Sequence, residues 1–226
     1  MRSDKNLPKK LRASRLWREQ LSGDMSLGSM AASLRELPGP QGGKIPSLSG
    51  HERNPFFVNM KGKGFHDVSL ISGADSPLDG RAVVVFDYDR DGLLDIAVCN
   101  ANTPKLKIYR NQLGSEGATG NFVKIRFEGA NSQNSSSSSA SNKNGYGSVV
   151  KGFIGGKPFR AEHRCGTGYA AQSSALMHIG LGSATQTDKL EIIWPSGKKQ
   201  MIKNAPTGSI IVVEEHGSFH IKSYAK

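Results

Sequence analysis

Cysteine is scarce in this chain: Cys99 and Cys165 are the two it has. They leave the redox compartment undecided, and a disulfide between them is not readable from sequence. Cys99 closes an apolar run and reads as a small buried hydrophobe, while Cys165 stands beside Arg164 in a polar stretch. Long apolar runs are missing as well. Nothing approaches the ~18 residues that cross a bilayer, and no apolar segment follows Lys9-Lys10, so neither a membrane span nor a signal peptide is read. Catalytic spacings are equally thin. No histidine falls in a His-Glu-x-x-His pattern. Gly180-Leu181-Gly182 has no phosphate-loop lysine in register and reads as a turn. His163 and Cys165 share a strand face, yet no third orienting residue or oxyanion loop accompanies them. The chain is therefore read as non-enzymatic. The alternative kept open is an enzyme-subunit site near Gly166–Gln172, using Gly166, Gly168, Tyr169 and Gln172 with His163 and Cys165. A tight turn with Tyr169 packed on a sheet accounts for the same residues.

Acidic residues are also in deficit. Lys and Arg number 30 against 19 Asp and Glu, a formal charge of +11. Such a balance opens the question of anionic partners. The basic residues are scattered and not gathered into a block, so nucleic acid is disfavoured and a solvated basic surface is the plainer account. A basic module binding an anionic polymer remains a second alternative. Helical patterns are few, whereas 27 glycines and serine-rich loops fit an all-β chain. At 226 residues it has room for one or two domains with a real core.

The acids that do occur are concentrated. Asp87-Tyr88-Asp89-Arg90-Asp91-Gly92-Leu93-Leu94-Asp95 alternates three carboxylates, inserts a glycine and closes on a fourth. Oxygen donors so spaced converge on a hard cation, and the glycine permits a sharp turn between them. An EF-hand shares the opening letters but needs flanking helices and a glutamate at its twelfth position; here that position is Val98. Ala82–Phe86 and Ile96–Cys99 are β-branched and apolar, so the loop joins two strands. Side chains of Asp87, Asp89, Asp91 and Asp95 with the Leu93 carbonyl form the expected ligand set. Ca²⁺ is expected in preference to Mg²⁺, which demands a smaller, stricter shell. A metal-free polar turn would hold four mutually repelling carboxylates.

Along the chain, residues 1–50 read as an appendage, partly helical or disordered. Leu7, Leu11, Trp17 and Leu21, then Leu27, Met30, Leu34 and Leu37, fall near helical spacing ahead of the break at Pro38–Gly43. Residues 51–115 hold a hairpin turning at Met60–Gly64, the acidic loop, and an alternating strand at Leu106–Asn111. Asn59 and Asn111 close similar phrases, a weak internal repeat. Residues 120–216 carry short strands with glycine turns, interrupted by the serine run Ser135–Ser139, and read as a β-sandwich or barrel-like domain.

Asn54–Val68, Asp79-Gly80-Arg81 and the acidic loop resemble an FG-GAP/VCBS repeat, the blade unit of integrin-like propellers. Asn144–Ser148, Gly166–Ser173, His178–Gly182 and Trp194–Gly197 resemble the ASPIC/UnbV domain that follows such repeats in cartilage acidic protein and many bacterial proteins. The resemblance implies calcium binding, an exported or cell-surface location, and interaction with a protein or glycan ligand. A propeller closes with about four to eight blades, whereas this sequence holds one or two. The chain is thus expected to be the C-terminal piece of a longer architecture or a truncated relative of one, with the rest of a propeller as a further expected partner.

Overall fold

The computed structural model describes the backbone of residues 17–23 and, in full, residues 51–113, 120–131 and 139–224. The described chain is almost entirely β, as its composition predicts. It divides into two compact units, one of residues 1–85 with 94–116, the other of 86–93 with 117–226.

The first unit is built on a four-stranded sheet in the order β1 (Trp17–Gly23), β6 (Leu106–Asn111), β5 (Asp95–Asn100), β4 (Gly80–Phe86). β1 corrects the helical reading of the appendage at Trp17 and Leu21. A seven-residue helix is marginal alone, whereas β6 offers an open edge that β1 pairs antiparallel from Trp17–Asn111 to Gly23–Leu106. Leu7, Leu11 and the second helical stripe lie outside the described residues. β2 (Phe57–Asn59) and β3 (Phe65–Asp67) form the expected hairpin, with the Met60 amide bonded to the Gly64 carbonyl. It is a separate ribbon, so the Asn59 and Asn111 phrases do not occupy equivalent places in one sheet. One helical turn, α1 (Ser69–Ser72), follows. Tyr109, Val98 and Ala74 are buried together as a small core. Cys99 faces the opposite way and is exposed, not buried as expected, because strand alternation puts Val98 inward.

The second unit is a sandwich. One sheet runs β10 (Met177–Gly182), β7 (Asn121–Glu128), β13 (Ser209–Glu214), β14 (Phe219–Ser223); the other runs β12 (Lys199–Lys203), β11 (Lys189–Ile193), β8 (Val149–Ile154), β9 (Lys157–Glu162). The period-two pattern of Phe122–Phe127 sends Val123, Ile125 and Phe127 inward, in register with Ile179 and Met177 on one side and Ile211 and Val213 on the other. Val150, Leu190, Ile192 and Ile202 of the opposing sheet join the same core. Burying each such side chain contributes about 1.5–3 kcal/mol. No pairing among the described residues links the two sheets, so of the two architectures expected the sandwich holds and a closed barrel does not. Gly180-Leu181-Gly182 is the end of β10, not a turn: Leu181 is 4% exposed, and the register with β7 shifts before Gly182, which takes φ +61°. The serine run lies largely outside the described residues, which resume at Ser139. No helix of the described residues is long and apolar enough to cross a membrane.

Candidate metal centre

β4 ends at Phe86 and β5 begins at Asp95, so the acidic stretch is the connection between two antiparallel neighbours. Its backbone is organised by its own carboxylates. Asp89 Oδ1 accepts from the Asp91 amide (3.3 Å), Asp91 Oδ1 from the Leu93 amide (2.8 Å), and Asp87 Oδ2 from the Gly92 amide (3.0 Å). The first two are Asx turns, the local bonding for which Asp is suited. Gly92 takes φ +92°, and a Cβ there would lie 2.1 Å from the Phe122 ring; only glycine meets both conditions.

Asp87, Asp89 and Asp95 each direct one carboxylate oxygen to within 4.8 Å of the others. Asp91 is exposed and stands outside that group, with its Oδ1 turned to the Leu93 amide. Asp95 is fully buried; its Oδ1 accepts from the Asn111 amide at 2.8 Å, while Asn111 Nδ2 donates to the Leu94 carbonyl at 3.2 Å. Asn111 thereby fixes the end of the loop from the neighbouring strand.

Electrostatic balance comes from the sandwich. Lys124 on β7 donates to Asp87 Oδ2 at 2.6 Å, with the two side chains 4% and 1% exposed. Its ammonium lies 3.7 Å from the Tyr224 ring centroid and 5.5 Å from that of Phe122, a cation–π enclosure. Burial pulls Lys124 below the ordinary lysine range, against the opposing effect of Asp87. Burial also pushes Tyr224 up to about 12, and Asp87 reinforces it. His178, directly across from Lys124 in the ladder and stacked on Phe122 at 5.3 Å, is lowered to about 4 by burial and then by the lysine charge. The other oxygen of Asp87, Oδ1, is buried and has no hydrogen-bond partner. Lys124 left no mark in the acidic motif. Its partner lies 37 residues away, and within Phe122–Phe127 it reads as an ordinary outward position of an alternating strand.

The residues around Gly166–Gln172 do not gather. His163 is 4% exposed, its ring stacked between Tyr146 and Phe127 at 4.7 and 4.6 Å and its Nε2 3.1 Å from the Asn144 carbonyl. Burial lowers its pKa. Cys165 is exposed, and Tyr169, expected on the sheet, is 78% exposed. Gln172 bonds the Tyr146 hydroxyl at 2.8 Å. The stretch thus leans on the sandwich through Gln172, and the Tyr169 ring stands free of it.

Residues 138–218 match the family model described as ASPIC and UnbV. The match runs from the end of the serine stretch through β13 and holds the four phrases that carried the resemblance to that domain. Two of those phrases have structural reasons. Gly145 takes φ +62° with its Cα pressed on Phe127, where a Cβ would meet the Phe127 Cβ at 2.5 Å. Trp194, 2% exposed, donates from Nε1 to Gln200 Oε1, and a turn over Pro195–Gly197 returns the chain to β12. A comparison with curated proteins found no match.

Proposed function

We propose that the chain is a calcium-binding, β-rich interaction module with no catalytic role, whose Asp87–Asp95 loop holds one Ca²⁺. The observation that carries this reading is Asp87 Oδ1, an oxygen of a carboxylate only 1% exposed, which lacks a partner in a loop where three carboxylates converge. A buried unpaired carboxylate oxygen costs stability unless a cation or donor meets it. Hard oxygen donors of this number and spacing suit Ca²⁺ better than Mg²⁺. Asp87, Asp89 and Asp95 would supply side-chain oxygens, with Asp91 and the Leu93 carbonyl as the remaining candidates. The cation would neutralise the loop and brace it between β4 and β5; its role is structural.

The antiparallel four-stranded sheet β1-β6-β5-β4 supports reading the first unit as one FG-GAP/VCBS-type propeller blade. A protein or glycan ligand, the rest of a longer propeller, and an exported or cell-surface setting follow from that reading. Calorimetric titration of the full chain tests the metal. Ca²⁺ should bind and raise Tm by mass action, Mg²⁺ should bind more weakly, and Asp89→Ala should remove most of the gain. Absence of Ca²⁺ heat together with an unchanged Tm overturns the proposal.

A further inference from the structure

We infer that the outward face of the β12-β11-β8-β9 sheet binds an anionic polysaccharide, a chain bearing repeated sulfate or carboxylate groups. The register fixes which side chains share this face. Lys189 lies directly opposite Lys203, and Lys151 directly opposite Arg160. All four are exposed. Side chains directly opposite in an antiparallel pair have Cβ atoms about 4.5–5.5 Å apart, and like charges there destabilise the sheet. No ion pair among the described residues involves any of the four. The acids of the same face are Glu191, directly opposite Lys151 in the ladder and 4.0 Å from Lys199, and Glu162, 3.4 Å from Arg164. Lys189, whose other ladder neighbour is Phe153, has no acid in register, so its pairing with Lys203 is a standing like-charge cost that a bound anion removes.

The arrangement selects a polymer over a single ion. Lys189 pairs with Phe153, so Lys151 is its diagonal neighbour on β8, roughly 7–8 Å away. Lys203, Lys189, Lys151 and Arg160 thus form one stripe crossing all four strands, about 14 Å over three strand spacings. One sulfate or phosphate ion cannot span it; successive anionic groups of an extended chain can. Nucleic acid is the less suited polyanion. Single strands bind on several aromatic stacking platforms, and this face exposes one aromatic, Phe153, at 45%. Duplex readout needs an element that enters a groove, and a flat sheet face has none. This inference does not depend on the calcium loop.

Titration of the full chain with a size-defined heparin oligosaccharide tests it, beside neutral dextran and an oligothymidylate of equal charge. Heparin should bind with an affinity that falls steeply with salt, and dextran should not bind. Lys189→Glu with Arg160→Glu turns both like-charge pairs into opposite-charge pairs. That variant should lose at least tenfold in heparin affinity while its Tm does not fall. Lys222→Glu, on the exposed β14, is the control and should leave binding unchanged. The inference is overturned by no heparin binding at low salt, or by equal loss in the control. It also fails if oligothymidylate binds as tightly as heparin and Phe153→Ala abolishes that binding, which would make the face a nucleic-acid surface.

Discussion

The Lys124 ammonium holds one oxygen of Asp87 at 2.6 Å, and the other oxygen of the same carboxylate is buried without a partner. The lysine compensates half of what burial of Asp87 demands. Removing one member of a buried pair strands the other charge, at a typical cost of about 3–5 kcal/mol. Lys124→Met should therefore lower stability by that order when calcium is absent. A cation in the loop would recover part of the loss, because it faces a more negative site once the lysine is gone. Melting curves of both proteins with and without Ca²⁺ check this. The variant should show the larger calcium-induced rise in Tm, and an equal or smaller rise would show that Lys124 and the metal do not share Asp87.

Gly92 makes a separate test of the same loop. Alanine would need φ near +92° and would drive its methyl into the Phe122 ring. Strain of the first kind costs about 1–3 kcal/mol, and overpacking adds a similar amount. Gly92→Ala should lower Tm in urea or heat with calcium present or absent, in contrast to Lys124→Met. Phe122→Leu in the same chain should recover part of the loss by opening the ring's space. Thermal denaturation of the single and double variants decides it.

Local alternation made the strands of both units legible. Phe122–Phe127, Leu190–Trp194 and Ser209–Glu214 each declare an inward face in their own residues. The acidic loop was legible for the same reason: its carboxylates are neighbours in sequence, and three of them are neighbours in space. What could not be read depended on distant residues. Trp17–Gly23 carries a helical stripe, yet it adds to the edge of β6 some ninety residues on, and no local signal reports that edge. Lys124 and Tyr224 reach the loop only through the fold. Cys99 shows a subtler miss: the strand was right, but its phase followed Val98 and not the cysteine.

The pairing of β1 with β6 predicts the effect of truncation. Without residues 1–23, β6 presents unpaired amides and carbonyls along Leu106–Asn111. Exposed edges of this kind promote association between chains. The truncated protein should self-associate with rising concentration, and amide exchange along Leu106–Asn111 should accelerate. Sedimentation velocity and hydrogen exchange measure the two effects. A monodisperse truncated chain with unchanged exchange at these amides would falsify the pairing.

Glu215 predicts the acid limb of stability. The side chain is 2% exposed, and burial alone would raise its pKa. Hydrogen bonds from Ser196, from the Ala130 amide and from the Ser141 hydroxyl and amide outweigh that and hold it at about 2, against an ordinary 4.5. The folded state thus prefers the ionised form. Its contribution is fully present above pH 4.5 and is lost as pH falls toward 2, about 3 kcal/mol over that window. His178 acts in a higher window. Its folded pKa of about 4 lies below the ordinary 6.5, so the unfolded chain takes the proton first and stability falls from pH 6.5 to 4. Urea unfolding across pH 2–8 should therefore show two descending segments. Glu215→Gln should flatten the lower one and leave the upper one, at a cost of about 1–3 kcal/mol near neutrality from the weakened bonds. The serine stretch runs between Ala130 and Ser141, both of which Glu215 grips, so cleavage within 132–138 should also quicken in this variant. A Glu215→Gln protein with an unaltered lower segment would show that the carboxylate is not ionised in this pocket.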